Sequence, residues 1–370
     1  MRMPSIVEHL RKYDWRLLGA VFLLMALGLV TLFSLSSVSS TSFFYRQLLW
    51  ALLGIMLLLA ASFIDFRLFR TQSFVVFIFY LFTVLLLFIV LAGNFTVRGV
   101  AAWLTFGSIF FQPVEAVKIS LIILLAKFFS KRHIEIYRIQ HLLVSGFYLA
   151  IPVGLVLLQP DLGSALVLIA IWVAIVLFSG MRTRHFFALL LLGALISGLA
   201  WNFILEPYQK TRITAFLNPY EDPKGAGYQM IQSVIAVGSG RFFGKGIGYG
   251  SQSHLNFLPE AETDFIFAAF AEEWGFVGVI VMLALFLILL WRIVFIGRSS
   301  SDNFSRLYCL GFATFIFVQG FIHIGMNMGV VPITGITLPF VSYGGSSLVA
   351  LLIGVGILQN IKINARREVE

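Results

Sequence analysis

The chain has 370 residues, 59% of them hydrophobic and only 12% charged, where a soluble domain carries about 25%. Its net charge is +9, yet no run of five or more Lys or Arg occurs, which argues against nucleic acid as a partner. The single cysteine, Cys309, excludes an intrachain disulfide and a metal–thiolate cluster.

Repeated apolar runs of about 18–25 residues give the fold class: all-α, a polytopic membrane protein. The N-terminus MRMPSIVEHLRKYDWR is mixed in charge, and the run that follows is longer than a secretory core, so it reads as an uncleaved first span. Ten spans are expected, near 17–35, 44–63, 74–92, 113–130, 141–158, 162–180, 185–203, 264–297, 305–328 and 345–363. An even number puts both termini on one side. With that division, eighteen of the 26 Lys and Arg fall on the side of the termini and seven on the other, with Lys118 inside a span. The positive-inside bias then assigns both termini to the cytoplasm. Residues 1–370 read as a single transmembrane domain, and the 204–263 segment as one large extracytoplasmic loop, too long to be a mere connection.

Several polar stretches interrupt the oil. In FQPVEAVKIS (111–120), Pro113 suits the first helical turn, and Glu115 and Lys118 are spaced to pair on one face. An inward pair is favoured over a snorkelling one, because Lys118 precedes the run ISLIILLA. In LLQPDLGSAL (157–166), Asp161 reads equally as a helix N-cap or a functional acid. Lys210 and Arg212 in YQKTRI are candidate anion ligands. The piece VGSGRFFGKGIGYGSQ (237–252) lacks the ending of a nucleotide loop, but its N–H groups with Lys245 and Arg241 could cradle an anion.

Five of the seventeen acids crowd into LPEAETDFIFAAFAEEWG: Glu260, Glu262, Asp264, Glu272 and Glu273. Thr263 reads as the N-cap of one long helix, and Asp264, Ala268, Ala271, Gly275 and Gly278 share a stripe of that helix. Dipole complementation explains Asp264 and Glu262 at a helix start, but not two acids further inside, so a polar cavity is favoured there. His323, alone in an apolar span, reads as hydrogen-bonded packing rather than a proton relay. In TGITLPFVSYGGSS (334–347), Ser342, Tyr343 and Gly344 either bind an anion or shape a turn. By this topology the stretches 99–115, 159–164, 204–264 and 334–347 share the outer face, which suits a substrate with a phosphate headgroup and a lipid tail.

The pieces GVAAWLTFGSIFFQPVEAVK, QPDLGSAL, GAGYQMIQS, GKGIGYGSQ, LPEAETDFIFAAFAEEWGFVG and PFVSYGGSS occur in one order, over nearly the whole chain. In that order they resemble the SEDS family, the RodA/FtsW/SpoVE peptidoglycan polymerases, with the AEEWG ending leaning toward the RodA branch. The resemblance implies a glycosyltransferase of the bacterial cytoplasmic (inner) membrane. It would polymerise lipid II, the undecaprenyl-pyrophosphate-linked disaccharide pentapeptide, on the extracytoplasmic side, for cell elongation and rod shape. A class B penicillin-binding protein would be the partner, with membrane lipids around both. By motif, Asp264 takes the place of the essential carboxylate. Trp103, Glu115, Lys118 and Lys245 match family positions and are carried over as substrate-binding, beside Lys210, Arg212, Ser342, Tyr343 and Gly344. The family arginine before Trp103 is Ala102 here, with Arg98 a stand-in. Val114 and Glu262 also depart from the pattern. Inversion at the anomeric carbon needs one base, Asp264, and positive charge on the leaving pyrophosphate. A divalent cation, magnesium or manganese, held by Glu262 and Asp264 would supply more of it. A lipid II flippase and a non-catalytic scaffold are the rivals, and a division- or sporulation-type polymerase is the alternative within the family.

Overall fold

The computed structural model describes residues 6–36, 43–93, 103–106, 109–131, 139–181, 183–203, 207–225 and 227–367. In chain order its elements are α1 (Ile6–Arg11), α2 (Trp15–Ser36), α3 (Phe43–Phe63), α4 (Arg67–Thr71), α5 (Ser73–Ala92), β1 (Leu104–Phe106), β2 (Ile109–Phe111) and α6 (Pro113–Ser130). There follow α7 (Ile139–Leu158), α8 (Leu162–Phe178), α9 (Thr183–Phe203), α10 (Pro207–Leu217), α11 (Tyr228–Ser239), α12 (Ser251–His254), α13 (Ile266–Arg298), α14 (Asn303–Asn327) and α15 (Gly345–Arg367). Ten of these helices stand where the ten apolar runs stand. Seven are long and apolar enough to cross a bilayer by length and composition alone: α2, α3, α5, α7, α13, α14 and α15. Of the other three, α6 carries Glu115, Lys118 and Lys127, and α8 has 17 residues.

The chain is thus an all-α, multi-pass membrane protein, with one antiparallel hairpin as its only sheet among the described residues. That hairpin, β1–β2, pairs Leu104 with Phe111 and Thr105 with Phe110. It docks on the start of α15, where Ser346 Oγ donates to the Phe110 carbonyl and accepts from the Gln112 N–H. The bundle is centred on α6, α14 and α15. Helix α6 packs against α5, α8, α14 and α15, and α15 lies along α3. Outward-facing side chains such as Leu49, Leu52, Phe82, Phe147 and Leu287 are exposed and apolar, as a lipid-facing surface requires.

The two ends of the bundle differ. At the end bearing the termini, the buried Asp14 caps α2 through the Leu17 N–H. The same carboxylate takes Arg292 near the end of α13 and Lys362 of α15, the latter at 3.3 Å. Gln359 accepts from the Asp14 N–H at 2.8 Å. Burial pushes the Asp14 carboxyl up, but the Arg292 guanidinium, the Leu17 N–H and the Lys362 charge outweigh it, and its pKa lies below the ordinary value. At the opposite end, α2 finishes at the level of Glu273, to which Ser34 Oγ donates. The candidate residues gather there.

Candidate active site

Helix α13 is not one continuous rod. Gly275 has φ 65° and ψ −166°, which breaks it into 266–274 and 276–298. Such a φ favours glycine. The second part, 23 residues at 1.5 Å each, is about 34 Å long and crosses a hydrocarbon core of about 30 Å unaided. A break, here at the edge of the core, frees backbone groups that need partners. The glycine-rich loop after α11 satisfies them. Lys245 and Gly246 N–H groups donate to the Glu272 and Glu273 carbonyls at 3.0 Å each. Phe276 and Val277 N–H groups donate to the Arg241 and Phe242 carbonyls at 2.9 and 3.1 Å.

The side chains of Glu272 and Glu273 complete this joint, which corrects the expected cavity. Glu272 is fully buried and accepts from Lys245 Nζ at 2.7 Å, the Gln252 N–H at 2.9 Å, the Ser253 N–H at 3.1 Å and Ser253 Oγ at 3.0 Å. Glu273 Oε1 takes the Gly248 N–H at 3.1 Å, and His254 Nε2 lies 2.9 Å from it. The loop does cradle an anion, but the anion is the protein's own carboxylate. Lys245 is part of that joint, and its ammonium also reaches Ser251 Oγ at 2.7 Å. The small stripe packs closely rather than lining a void. Ala268 and Ala271 are buried, and Gly240 lies against the Ala271 carbonyl.

Asp264 sits in the turn before α13. The N-cap is Phe265 and makes no side-chain capping bond, so Thr263 is not the cap. The turn is tight because the Glu260 carbonyl accepts from the N–H groups of Thr263, Asp264 and Phe265. It is also held from outside. The carbonyls of Glu262, Thr263 and Asp264, three in succession, accept from the Tyr343 N–H, Ser342 Oγ and Asn327 Nδ2 at 3.0, 2.9 and 2.9 Å. Ser342 Oγ in turn accepts from the Leu338 N–H, and Gly344 N–H donates to Gln47. Asn327, fully buried at the end of α14, also accepts the Ala268 N–H at 3.1 Å, one of the donors that a helix start leaves open. The stretch 342–344 therefore acts first as a backbone clamp on the Asp264 turn.

Gly335 stands between Asp264 and Arg212. Its φ is +74°, and a Cβ there would lie 3.6 Å from Asp264 Oδ2 and 3.9 Å from Arg212 Nη1. Carboxylate and guanidinium are therefore no more than about 7.5 Å apart. Arg212 Nη1 donates to the Ile333 carbonyl at 3.2 Å. The half-buried Asp264 thus faces a fixed positive charge without being sealed from solvent.

The inward Glu115–Lys118 pair is present. Both are buried, 2.8 Å apart, and Lys118 Nζ also donates to Gln319 Oε1 at 2.8 Å. Gln319 Nε2 continues to the Thr337 carbonyl at 3.0 Å, so this pair is tied to the same 334–347 stretch. Glu115 Oε2 has no partner among the described residues. His323 is packing, as expected, with Nδ1 2.7 Å from the Ile336 carbonyl. Asp161 is an N-cap, accepting from the Ser164 N–H. Trp103 leads into β1, half-buried, and Lys210 lies on α10 beside Arg212. Arg98 and Ala102 lie outside the described residues. Among the described residues no group of three His, Cys, Asp or Glu is placed to hold a metal ion. Glu262 and Asp264 are two carboxylates, a set that holds magnesium together with waters and the phosphate oxygens of a substrate.

Two hollows flank α10. An apolar groove of about 850 Å³ runs between α5 and α7, with Gln209 of α10 in its wall beside Phe88, Leu155 and Leu158. A cleft of about 510 Å³ lies on the side of α11 and includes Thr211, Arg212 and Ile333. Sequence reasoning missed Asn327, Gln319 and Gly335. The two amides left a trace, being uncharged polar groups in apolar runs, where an unpaired amide costs several kcal/mol.

Together these features define a multi-pass membrane protein with a carboxylate and an arginine fixed at one end of its bundle. The particular kind follows from comparison. The profile of the FtsW/RodA/SpoVE cell cycle protein family matches residues 14–367, and the chain belongs to that family. It is 38% identical to stage V sporulation protein E of Bacillus subtilis (strain 168) over 362 residues, covering 95% of this chain and 98% of the relative. It is 38% identical to peptidoglycan glycosyltransferase MrdB of Escherichia coli (strain K12) over 282 residues, 76% of each chain. Among solved structures, a chain of a peptidoglycan synthase complex superposes with a TM-score of 0.80 at 35% identity, covering 95% of this chain and 98% of that one. The crystal structure of the Thermus thermophilus rod shape determining protein RodA gives a TM-score of 0.71 at 30% identity, with 97% and 98% covered. On this membership the chain is an enzyme, a glycosyltransferase.

Proposed function

We propose that the chain polymerises lipid II into glycan strands, with inversion at the anomeric carbon, on the outer face of a bacterial cytoplasmic membrane. The observation that carries this is the Asp264 carboxylate, clamped by its own backbone and set within about 7.5 Å of the Arg212 guanidinium. Asp264 takes the proton from the 4-hydroxyl of the acceptor GlcNAc. The oxygen forms its bond to the anomeric carbon of MurNAc as the bond to the diphosphate breaks. The diphosphate leaves with both electrons, and Arg212, with Lys210 nearby on α10, offsets its charge. Because the base is held before substrate arrives, little reorganisation is left to the reaction itself. The apolar groove beside Gln209 suits the lipid tail. Lys118, sealed with Glu115 and Gln319, supports the loop under the site.

The excess of Lys and Arg at the end of the termini supports cytoplasmic termini and an outward-facing site. A class B penicillin-binding protein is the proposed partner, crosslinking the new strand. The cellular role proposed is elongation, from the AEEWG ending. Relatives with sporulation and rod-type glycosyltransferase names match at the same 38% identity, so a division- or sporulation-type role is the second reading. Depletion in the source organism separates them, as rounded cells, filaments or blocked spores.

The direct test supplies lipid II to the purified protein with its partner, wild type against Asp264→Asn. Wild type is expected to make glycan strands, and the variant, folded and partner-bound, to lose about 10³-fold or more, as for removal of a catalytic base and its charge. Undiminished polymerisation by Asp264→Asn would overturn the assignment. Transport of labelled lipid II without polymerisation would favour the flippase.

A further inference from the structure

The substrate of the proposed reaction is more than a sugar and a lipid. A peptide bearing several carboxylates hangs from the ring whose anomeric carbon reacts. We propose that the cleft between α10 and α11 is a carboxylate-binding subsite for this stem peptide. The inference rests on the polymerase reading given above.

Three features carry it. The first is charge: beside Arg212, which serves the diphosphate, Lys224 lines the cleft, and no Asp or Glu is among its described lining residues. Two acids of the adjoining turn accept from amide groups. Glu221 accepts from Asn218 Nδ2 at 2.7 Å and Asp222 from the Gly225 N–H at 2.9 Å. The second is the remaining wall, where Thr211, Tyr228 and Gln229 offer the donors and acceptors that peptide amides need. Its volume, about 510 Å³, falls in the range of about 300–1,000 Å³ usual for ligand sites.

The third is placement. On the reacting MurNAc the diphosphate departs from C1, while the peptide is tied through the lactyl ether at C3. One ring at Asp264 and Arg212 must therefore send two substituents in different directions. Helix α10 divides the two hollows, with Gln209 in the apolar groove and Thr211 and Arg212 in the cleft. The tail takes the groove and the peptide takes the cleft. The diphosphate stays where both meet, at Arg212, because the tail joined to it lies in the groove, and the part of the cleft toward Lys224 is left to the peptide.

The test measures KM and kcat for intact lipid II and for lipid II whose stem is cut back to its first residue. Wild type, Lys224→Gln and Gln229→Ala are compared, each with its partner. Lys224 is exposed, so its substitution leaves the core untouched. The ratio of the two KM values, intact over truncated, is expected to rise about tenfold for Lys224→Gln, the size of one charge-assisted hydrogen bond. Gln229→Ala should raise it less. Equal KM increases for both substrates would assign the cleft to sugar or diphosphate and overturn the inference. Unchanged KM values for both would overturn it as well. In either case wild-type polymerisation would leave the polymerase reading standing. No glycan from wild type with either substrate would instead overturn that reading and the subsite with it.

Discussion

Glu272 and Asp264 stand eight residues apart and are used in opposite ways. Glu272 is buried, and its two oxygens are filled by an ammonium, two backbone N–H groups and a hydroxyl. It has no capacity left for a substrate. Around Asp264 the grip is on the main chain: three successive carbonyls are held while the carboxylate stays half-buried beside Arg212. In the first region the side chain is spent on architecture and the backbone is broken. In the second the backbone is fixed so that the side chain can act. A crowd of acids in one sequence window can thus contain both a scaffold and a proposed reagent, which differ in their hydrogen bonds.

The sharpest way to break this contrast is at the joint. Glu272→Ala leaves Lys245 and the start of α12 without their anion and is expected to cost about 3–5 kcal/mol, the range for losing one partner of a buried pair. Thermal unfolding in detergent measures it. A variant that melts like wild type would show that the joint does not hold the loop. A smaller effect is expected at the clamp. Ser342→Ala orphans the Thr263 carbonyl and the Leu338 N–H, and should lower kcat about tenfold with KM nearly unchanged, on the scale of one buried hydrogen bond. Ser342→Thr should restore most of the rate. A rise in KM alone would return Ser342 to the substrate.

Lys245→Met sharpens the comparison further. As a member of the joint, Lys245 should contribute to melting, while kcat/KM per folded molecule stays within about threefold, far below the loss expected for a cation on a transferring group. A hundredfold fall would move Lys245 to the leaving group. The smallest effect is at the far end of the bundle. Asp14 has a lowered pKa in the folded protein, so its ion pairs contribute fully above its unfolded value of about 3.9 and are lost as pH falls through the folded value. The stability difference between wild type and Asp14→Asn should be constant above about pH 4 and shrink below it. A difference that does not change with pH would mean the carboxylate is not the linked group.

Much of this was legible in the residues. The ten apolar runs located the ten long helices, because segment length and bilayer thickness are coupled. The inward Glu115–Lys118 pair followed from spacing and the apolar run after it, whereas the Asp161 cap was one of two equal readings. The break at Gly275 was not legible, since AEEWGFVG continues a helical apolar pattern and only the loop packed against it reveals the need for φ > 0. The roles of Glu272 and Glu273 were misread for the same reason. Their partners lie 19 to 27 residues upstream, in a loop whose glycines suggested an external anion. Asn327 and Gly335 act through contacts with residues distant in sequence, which no local period encodes. The β1–β2 hairpin escaped notice because each strand has three residues.

The clamp on Asp264 has a pharmacological side. Tyr343 and Ser342 belong to the segment before α15, which is tied to the buried lysine through Gln319 and Thr337 and runs on into the start of α15, where Ser346 receives the hairpin. Three separate parts of the chain therefore set the height and tilt of one carboxylate. If Asp264 is the base as proposed, a compound wedged under that segment would stall the enzyme without resembling a sugar or a lipid. Raising the substrate concentration would not displace it.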